Sequence, residues 1–252
     1  MTKNNRVISK TTVQTVYLSS GGRCAICKVK LYDLEGNMGK GATFSQIAHI
    51  QGLNPGSARY NISMTDAERN SAENLILLCP TDHNKIDKEP SEYTVDVLKK
   101  IKSEHLKWVD ERLEEASSKL TFAELEVLIK YLKADESYLE NSPDFDILPI
   151  EQKIVKNDLS DKIRKLIKMG LMQVRQVKDY IAIQPYVDFG LTLRNRFVEE
   201  YNKSLQDGLK GDLLFYKLYS FATNGRSGDF IQMAAGLAVL VYFFESCEVF
   251  EK

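Results

Sequence analysis

Three cysteines and two histidines in the first 83 residues stand at spacings that suit metal ligation. Cys24-Ala25-Ile26-Cys27 puts two thiols three residues apart, close enough to chelate one tetrahedral ion from a single turn. Cys79-Pro80-Thr81-Asp82 offers the second half-site. Asp is a less usual fourth ligand than Cys or His, but a carboxylate oxygen does ligate zinc. Cys24, Cys27, Cys79 and Asp82 are therefore a candidate Cys3Asp structural Zn²⁺ site, with a decayed and empty site as the alternative. The first ten residues carry no apolar core of a signal peptide, so the chain is read as cytoplasmic with reduced thiols. In that compartment a C-x-x-C pair favours metal over a disulfide.

His49, Asn74, His83 and Asp87 form a second set. At i, i+4 spacing, His83 and Asp87 project from one helix face and could hold a divalent cation, Mg²⁺ or Mn²⁺, while leaving positions open for water and substrate. A neutral imidazole at His49 could take a proton from water. Asn74 could fix the backbone or orient the His49 ring. The third histidine, His105, lies beside Trp108 in a helical stretch and reads as structural. Arg23, Lys28, Lys30, Lys40, Arg59 and Lys85 are candidate phosphate contacts. For each alone a solvated surface residue is the simpler reading; Lys85 stands out because it lies inside the metal helix, with Arg23 and Arg59 next.

The elements that must position these groups are short. Residues 7–19 predict a helix, Ser20-Gly21-Gly22 a turn, and 33–45 a loop rich in Gly, Asp and Asn. Phe44 to Ile50 reads as a strand with His49 near its end. Residues 51–70 are polar, broken by Asn54-Pro55-Gly56, and read as a long loop. Leu75 to Leu78 is a second strand, a helix follows from about His83, and a supporting helix runs from Thr94 to about Ser117 with one apolar stripe. These make a first domain over 1–118. The remainder, 119–252, has no histidine and only Cys247, and its apolar residues recur at helical period. It predicts an all-α domain with helices over 121–134, 158–171, 173–183, 186–206, 212–223 and 229–246, and an irregular connector over 141–156. Residues 229–246 are apolar on nearly every face, which suits a central core helix or, as the rival reading, a partner-binding helix.

Taken in order, C-x-x-C, A-H-I, N-L-I-L-L-C and H-N-K-I-D resemble the HNH endonucleases, over about residues 20–115. The resemblance implies an α+β N-terminal domain built on a ββα-metal finger and metal-assisted hydrolysis of DNA phosphodiester bonds. It makes His49 the general base, Asn74 the family's central asparagine, His83 a ligand of the catalytic metal, and Asp87 a further ligand. Ala48 departs from the commoner D-H or H-H pattern, so fewer protein groups would hold the ion. The C-terminal part, with G-D-L-L-F and C-E-V-F-E, faintly resembles the C-terminal modules of bacterial three-component defence systems that include an ATPase. That likeness implies an anti-phage or anti-plasmid effector regulated through its helical domain, with an ATPase or sensor as partner. A non-catalytic zinc-ribbon adaptor that binds nucleic acid or protein is the alternative, since it needs only the cysteines.

Charge separates these readings little. Residues 1–120 hold 17 Lys and Arg against 15 Asp and Glu, and the rest 17 against 20. No bulk basic field advertises nucleic acid, so any contact with DNA must come from local placement. The longest apolar run, Met233 to Phe244, is far short of the roughly 20 residues that span a bilayer, so no membrane association is expected. A homo-oligomer is left open: two copies brought together would cut both strands, but no residue demands it.

Overall fold

The computed structural model describes residues 7–33, 42–132, 147–185 and 188–251. It divides into two compact units, Met1–Arg112 with Ser227–Asp229, and Leu113–Arg226 with Phe230–Lys252.

In the first unit, α1 (Lys10–Ser19) starts at Ser9, whose hydroxyl accepts from Thr12 N–H at 3.0 Å. Gly21 and Gly22 follow at φ 58° and 59°, a left-handed pair that residues with a Cβ adopt only at a cost. Two antiparallel pairs come next: β1 (Tyr32–Asp33) with β2 (Ala42–Thr43), and β3 (Gln46–His49) with β4 (Leu75–Leu78). In the second pair His49 lies opposite Leu75 and Gln46 opposite Leu78. Every residue of β4 is buried, which is why it reads as an unbroken apolar run rather than an alternating one.

The polar stretch 51–70 is not all loop. Asp66–Arg69 form a short helix, α2, closed by a complete capping box in which Thr65 and Glu68 satisfy each other's backbone N–H groups. A single 3-10 turn, Ala72–Asn74, then leads into β4. Helix α3 spans Pro80–Lys88, so it starts three residues before His83. The Cys79 sulfur accepts from Asp82 N–H at 3.4 Å as the N-cap, and Pro80 occupies the first turn, where its missing N–H costs nothing. Helix α4 (Val95–Ser117) matches the expected supporting helix, and the boundary between the units falls within it. The core of this unit gathers Val16, Leu31, Ile50, Ile86 and Leu98 around β4.

Among the described residues, every element of the second unit beyond α4 is a helix: α5 (Phe122–Leu132), α6 (Ile150–Lys156), α7 (Asp161–Leu171), α8 (Val174–Ala182), α9 (Phe189–Gln206), α10 (Gly211–Ala222) and α11 (Phe230–Ser246). The expected connector over 141–156 is corrected here, because residues 150–156 form α6; residues 141–146 lie outside the described ones. The helix escapes a periodicity reading because one of its inward positions is a charged residue. Lys153 is 0 % exposed, and its ammonium donates to the carbonyls of Phe244 (2.7 Å), Cys247 (2.5 Å) and Val249 (3.2 Å) and pairs with Glu251 at 3.2 Å. Helix α11 is the centre of the unit, with twelve of its 17 residues buried. Helix α7 approaches it closely at Gly170, where an added Cβ would stand 2.5 Å from Val241 Cγ2. No helix among the described residues is long and apolar enough to cross a membrane.

Candidate metal cluster and histidine pocket

The C-x-x-C segment folds as a knuckle pinned to the sheet. Ala25 N–H donates to Leu77 O at 2.9 Å, Cys24 N–H to Val29 O at 3.0 Å, and Lys28 N–H back to Cys24 O at 3.0 Å. Arg23 and Lys30 close it as an antiparallel bridge. Lys28 sits at φ 64°, uncommon for a residue with a side chain, and that side chain helps hold the turn. Its ammonium donates to Ala25 O (2.7 Å) and to His105 Nδ1 (2.9 Å), 5.5 Å above the Trp108 ring.

Four potential ligand atoms meet beside this turn. The sulfurs of Cys24, Cys27 and Cys79 and a carboxylate oxygen of Asp82 all lie within 4.8 Å of one another. Cys27 and Cys79 sulfurs are 3.8 Å apart. Two thiolates on one tetrahedral ion, each at about 2.3 Å, would stand about 3.8 Å apart, so that pair already has the required separation. The Cys24 and Cys79 thiols donate to Asp82 Oδ2 at 3.0 and 3.2 Å. These contacts would open to about 3.5 Å around an ion. The donor set thus fits a structural metal. Burial drives the Cys24 thiol up to about 12 and also raises Cys27. Burial pushes Asp82 the same way, but hydrogen bonds from the three thiols outweigh it and hold the carboxyl below its ordinary value. A cation here would have to displace thiol protons, so its affinity would fall with pH.

Consecutive helical residues point about 100° apart, and α3 uses that step. Asp82 turns to the thiols. His83 turns to a pocket of about 360 Å³ that it lines with His49, Arg59 and Asp87. His83 Nδ1 lies 3.6 Å from Asp87 Oδ2. Donors each about 2.1 Å from one cation stand about 3.0–3.4 Å apart, so a small adjustment would bring these two onto a shared ion.

At the far side of the pocket, His49 Nε2 meets Asn70 Oδ1 at 3.1 Å. Asn74 is buried, and its amide bonds to backbone groups. Its Oδ1 accepts from Gln51 N–H at 2.9 Å, and its Nδ2 donates to Gln51 O and to Arg69 O, each at 3.0 Å. Asn74 therefore fixes the backbone on both flanks of the loop that follows His49.

The basic candidates divide. Arg59, with φ 60° and a side chain 6 % exposed, donates to the carbonyls of Ile50 (2.9 Å), Ile86 (2.9 Å) and Tyr93 (3.2 Å), and its remaining nitrogen stands 3.6 Å from Asp87 Oδ1. Most of its donors are spent on the fold. Arg23 donates to Lys28 O at 3.3 Å, and Lys28 is committed to His105. Lys85 is exposed on α3, 5.6 Å over the Tyr93 ring, and Lys30 is exposed too. Lys40 lies outside the described residues.

His105 is 1 % exposed, stacks on Trp108 and donates from Nε2 to Ser20 O at 3.0 Å, so it supports the knuckle. Burial, reinforced by the Lys28 charge, brings it down to about 4. Asn70 and the structural use of Arg59 were not visible in the sequence reading. The signal for Asn70 was available in Thr65-x-x-Glu68, the capping box that carries it.

Residues 123–251, just over half of the chain, match the family model of the C-terminal domain 10 of the ABC-three component (ABC-3C) systems. A search of curated proteins gives no match.

Proposed function

The chain belongs to the ABC-three component family through the C-terminal domain it carries, and from that premise we propose that it is a metal-dependent DNA endonuclease acting as the effector of a bacterial defence system. On this reading the N-terminal unit is an HNH-like ββα-metal finger formed by β3, β4 and α3. The helical unit docks the chain to the system's other components, an ATPase or a sensor among them.

The observation that carries the reading is the shared pocket: His49, His83 and Asp87 come from a strand end and one helix face, and all three line the same 360 Å³ space. His49 takes a proton from the attacking water. His83 and Asp87 would hold a Mg²⁺ or Mn²⁺ ion, which when bound would stabilise the charge that develops on the phosphate and the leaving oxygen. Arg59, anchored on three carbonyls, faces the Asp87 carboxylate at 3.6 Å and orients it. Lys85, exposed on α3 between these two ligands in sequence, meets the DNA backbone. Cys24, Cys27, Cys79 and Asp82 would hold a structural Zn²⁺ ion, which when bound would tie the knuckle to the start of α3, the helix that carries His83.

The hold of Arg59 on Asp87 is the one observation that favours the rival reading, a zinc-dependent adaptor without catalysis, because an internal cation already faces that carboxylate. Incubation of supercoiled plasmid with the purified chain and Mg²⁺ or Mn²⁺, with and without the neighbouring components of its system, separates the two. Conversion to nicked or linear plasmid is expected. No conversion with any metal and every component present would leave the adaptor.

A further inference from the structure

We propose that the histidine pocket takes its divalent ion together with a phosphodiester group rather than before it, an inference that rests on the reading of His83 and Asp87 as the ligands. Asp87 is the one carboxylate among the described residues that line the pocket. Both of its oxygens already face a partner, Oδ1 at 3.6 Å from Arg59 Nη2 and Oδ2 at 3.6 Å from His83 Nδ1. Guanidinium and carboxylate cancel. An entering ion would bring two further positive charges close to a cation that does not give up its proton. A phosphodiester supplies the missing negative charge. One of its oxygens would accept from Arg59 Nη2 and release Asp87, and another would join the two protein donors on the ion. By itself the pocket therefore holds the ion weakly, and the substrate's own anion completes the site.

The local fold holds Arg59 in this place. Residues 52–59 close on themselves: Gly52 N–H donates to Arg59 O at 3.2 Å, and a Cβ added at Gly52 would overlap Ser57 Oγ and Ala58 O. Arg59 ends that loop in a left-handed conformation and turns its buried side chain inward. Its Nε donates to Ile50 O, one residue past His49, and its Nη1 to Ile86 O, one residue before Asp87. Ile86 lies in the last turn of α3, and the residue four positions on, whose N–H would bond its carbonyl in a longer helix, is Pro90, which has no N–H. Arg59 therefore caps the helix that carries both ligands, and it could not swing away without uncapping it. Nη2 is the nitrogen left for an anion. The Asp87 side chain is 54 % exposed, so an anion arriving from solvent can reach the pair.

The test titrates Mn²⁺ into the full chain and reads occupancy from paramagnetic broadening of the His83 ring signals, with His83→Gln used for assignment among the three histidines. Dimethyl phosphate, a minimal phosphodiester, is the added anion, and chloride at equal ionic strength is its control. In the native chain the midpoint should fall about 10-fold or more in Mn²⁺ concentration when dimethyl phosphate replaces chloride. Asp87→Asn should lose that response, which separates the pocket from any Mn²⁺ held by the thiol cluster. Arg59→Gln, if its circular dichroism matches the native chain, should bind Mn²⁺ about 10-fold more tightly in chloride and gain little from the anion. Equal native midpoints with the two anions, or no broadening of His83 with either, would overturn the proposal. That comparison needs no variant, so a misfolded Arg59→Gln leaves it decisive. Anion-coupled binding without plasmid cleavage would support the proposal and sink the nuclease reading. Cleavage with equal midpoints would do the reverse.

Discussion

His105 offers a stability test that depends on neither catalysis nor metal chemistry. In the folded chain burial and the nearby Lys28 charge bring its pKa from 6.5 to about 4. A group whose folded pKa is depressed contributes stability that is complete above its unfolded value and is lost as pH falls through the folded one. The window is therefore pH 6.5 down to about 4. That gap corresponds to about 3 kcal/mol, a large share of the stability of an ordinary domain. His105→Gln supplies the control. A glutamine amide can donate to Ser20 O and accept from Lys28 but does not titrate. Trp108, the one tryptophan in the chain, stacks on His105 with ring centroids 5.7 Å apart, so its fluorescence follows unfolding at this spot. Urea titrations at pH 7 and pH 4, on the native protein and on His105→Gln, should show the native form losing about 3 kcal/mol more than the variant. Carboxylates titrate in both proteins and cancel in the difference. Parallel losses would refute the claim that His105 is held neutral by burial.

Other outcomes follow from the same geometry. Elemental analysis should find one zinc per chain in the native protein and none in Cys79→Ser, with metal retention weakening as pH falls because the thiols must release protons. Lys153→Met leaves Glu251 and three carbonyls without their cation and should destabilise the helical unit by about 3–5 kcal/mol, measured as loss of helical circular dichroism in denaturant. Gly170→Ala drives a methyl group against Val241, at 2.5 Å from Cγ2, and should cost about 1–3 kcal/mol in the same assay. Adding Val241→Ala to that variant should recover part of the loss; an additive further loss would show that the two helices do not meet as described.

Periodicity and spacing carried much of this fold because the relevant signals were local. The run Leu75 to Leu78 is apolar at every position because every position is buried. The spacings within C-x-x-C and Cys79-x-x-Asp82 each fit one turn, and the four side chains do meet. Signals that depend on who meets whom in space were not legible. Lys153 looks like a solvated helical residue until the carbonyls of the chain's last turn close over it. Arg59 reads as a surface cation because nothing in its neighbourhood announces Ile50, Ile86 and Tyr93 as acceptors. Asn74 reads in the sequence as able either to fix the backbone or to orient the His49 ring, and its bonds to Gln51 and Arg69 depend on the path of residues 51–70. The start of α3 at Pro80 follows a local signal, because a residue able to cap, followed by proline, opens a helix.

On the proposed function, one N-terminal unit holds two separate sites, a thiol cluster that shapes the knuckle and a histidine pocket that does the chemistry. Plasmid cleavage by His49→Ala, measured beside the zinc content of the same sample, tests it most directly. The account predicts one zinc per chain, a folded protein and no cleavage. A zinc-loaded variant that cuts as fast as the native chain would contradict it.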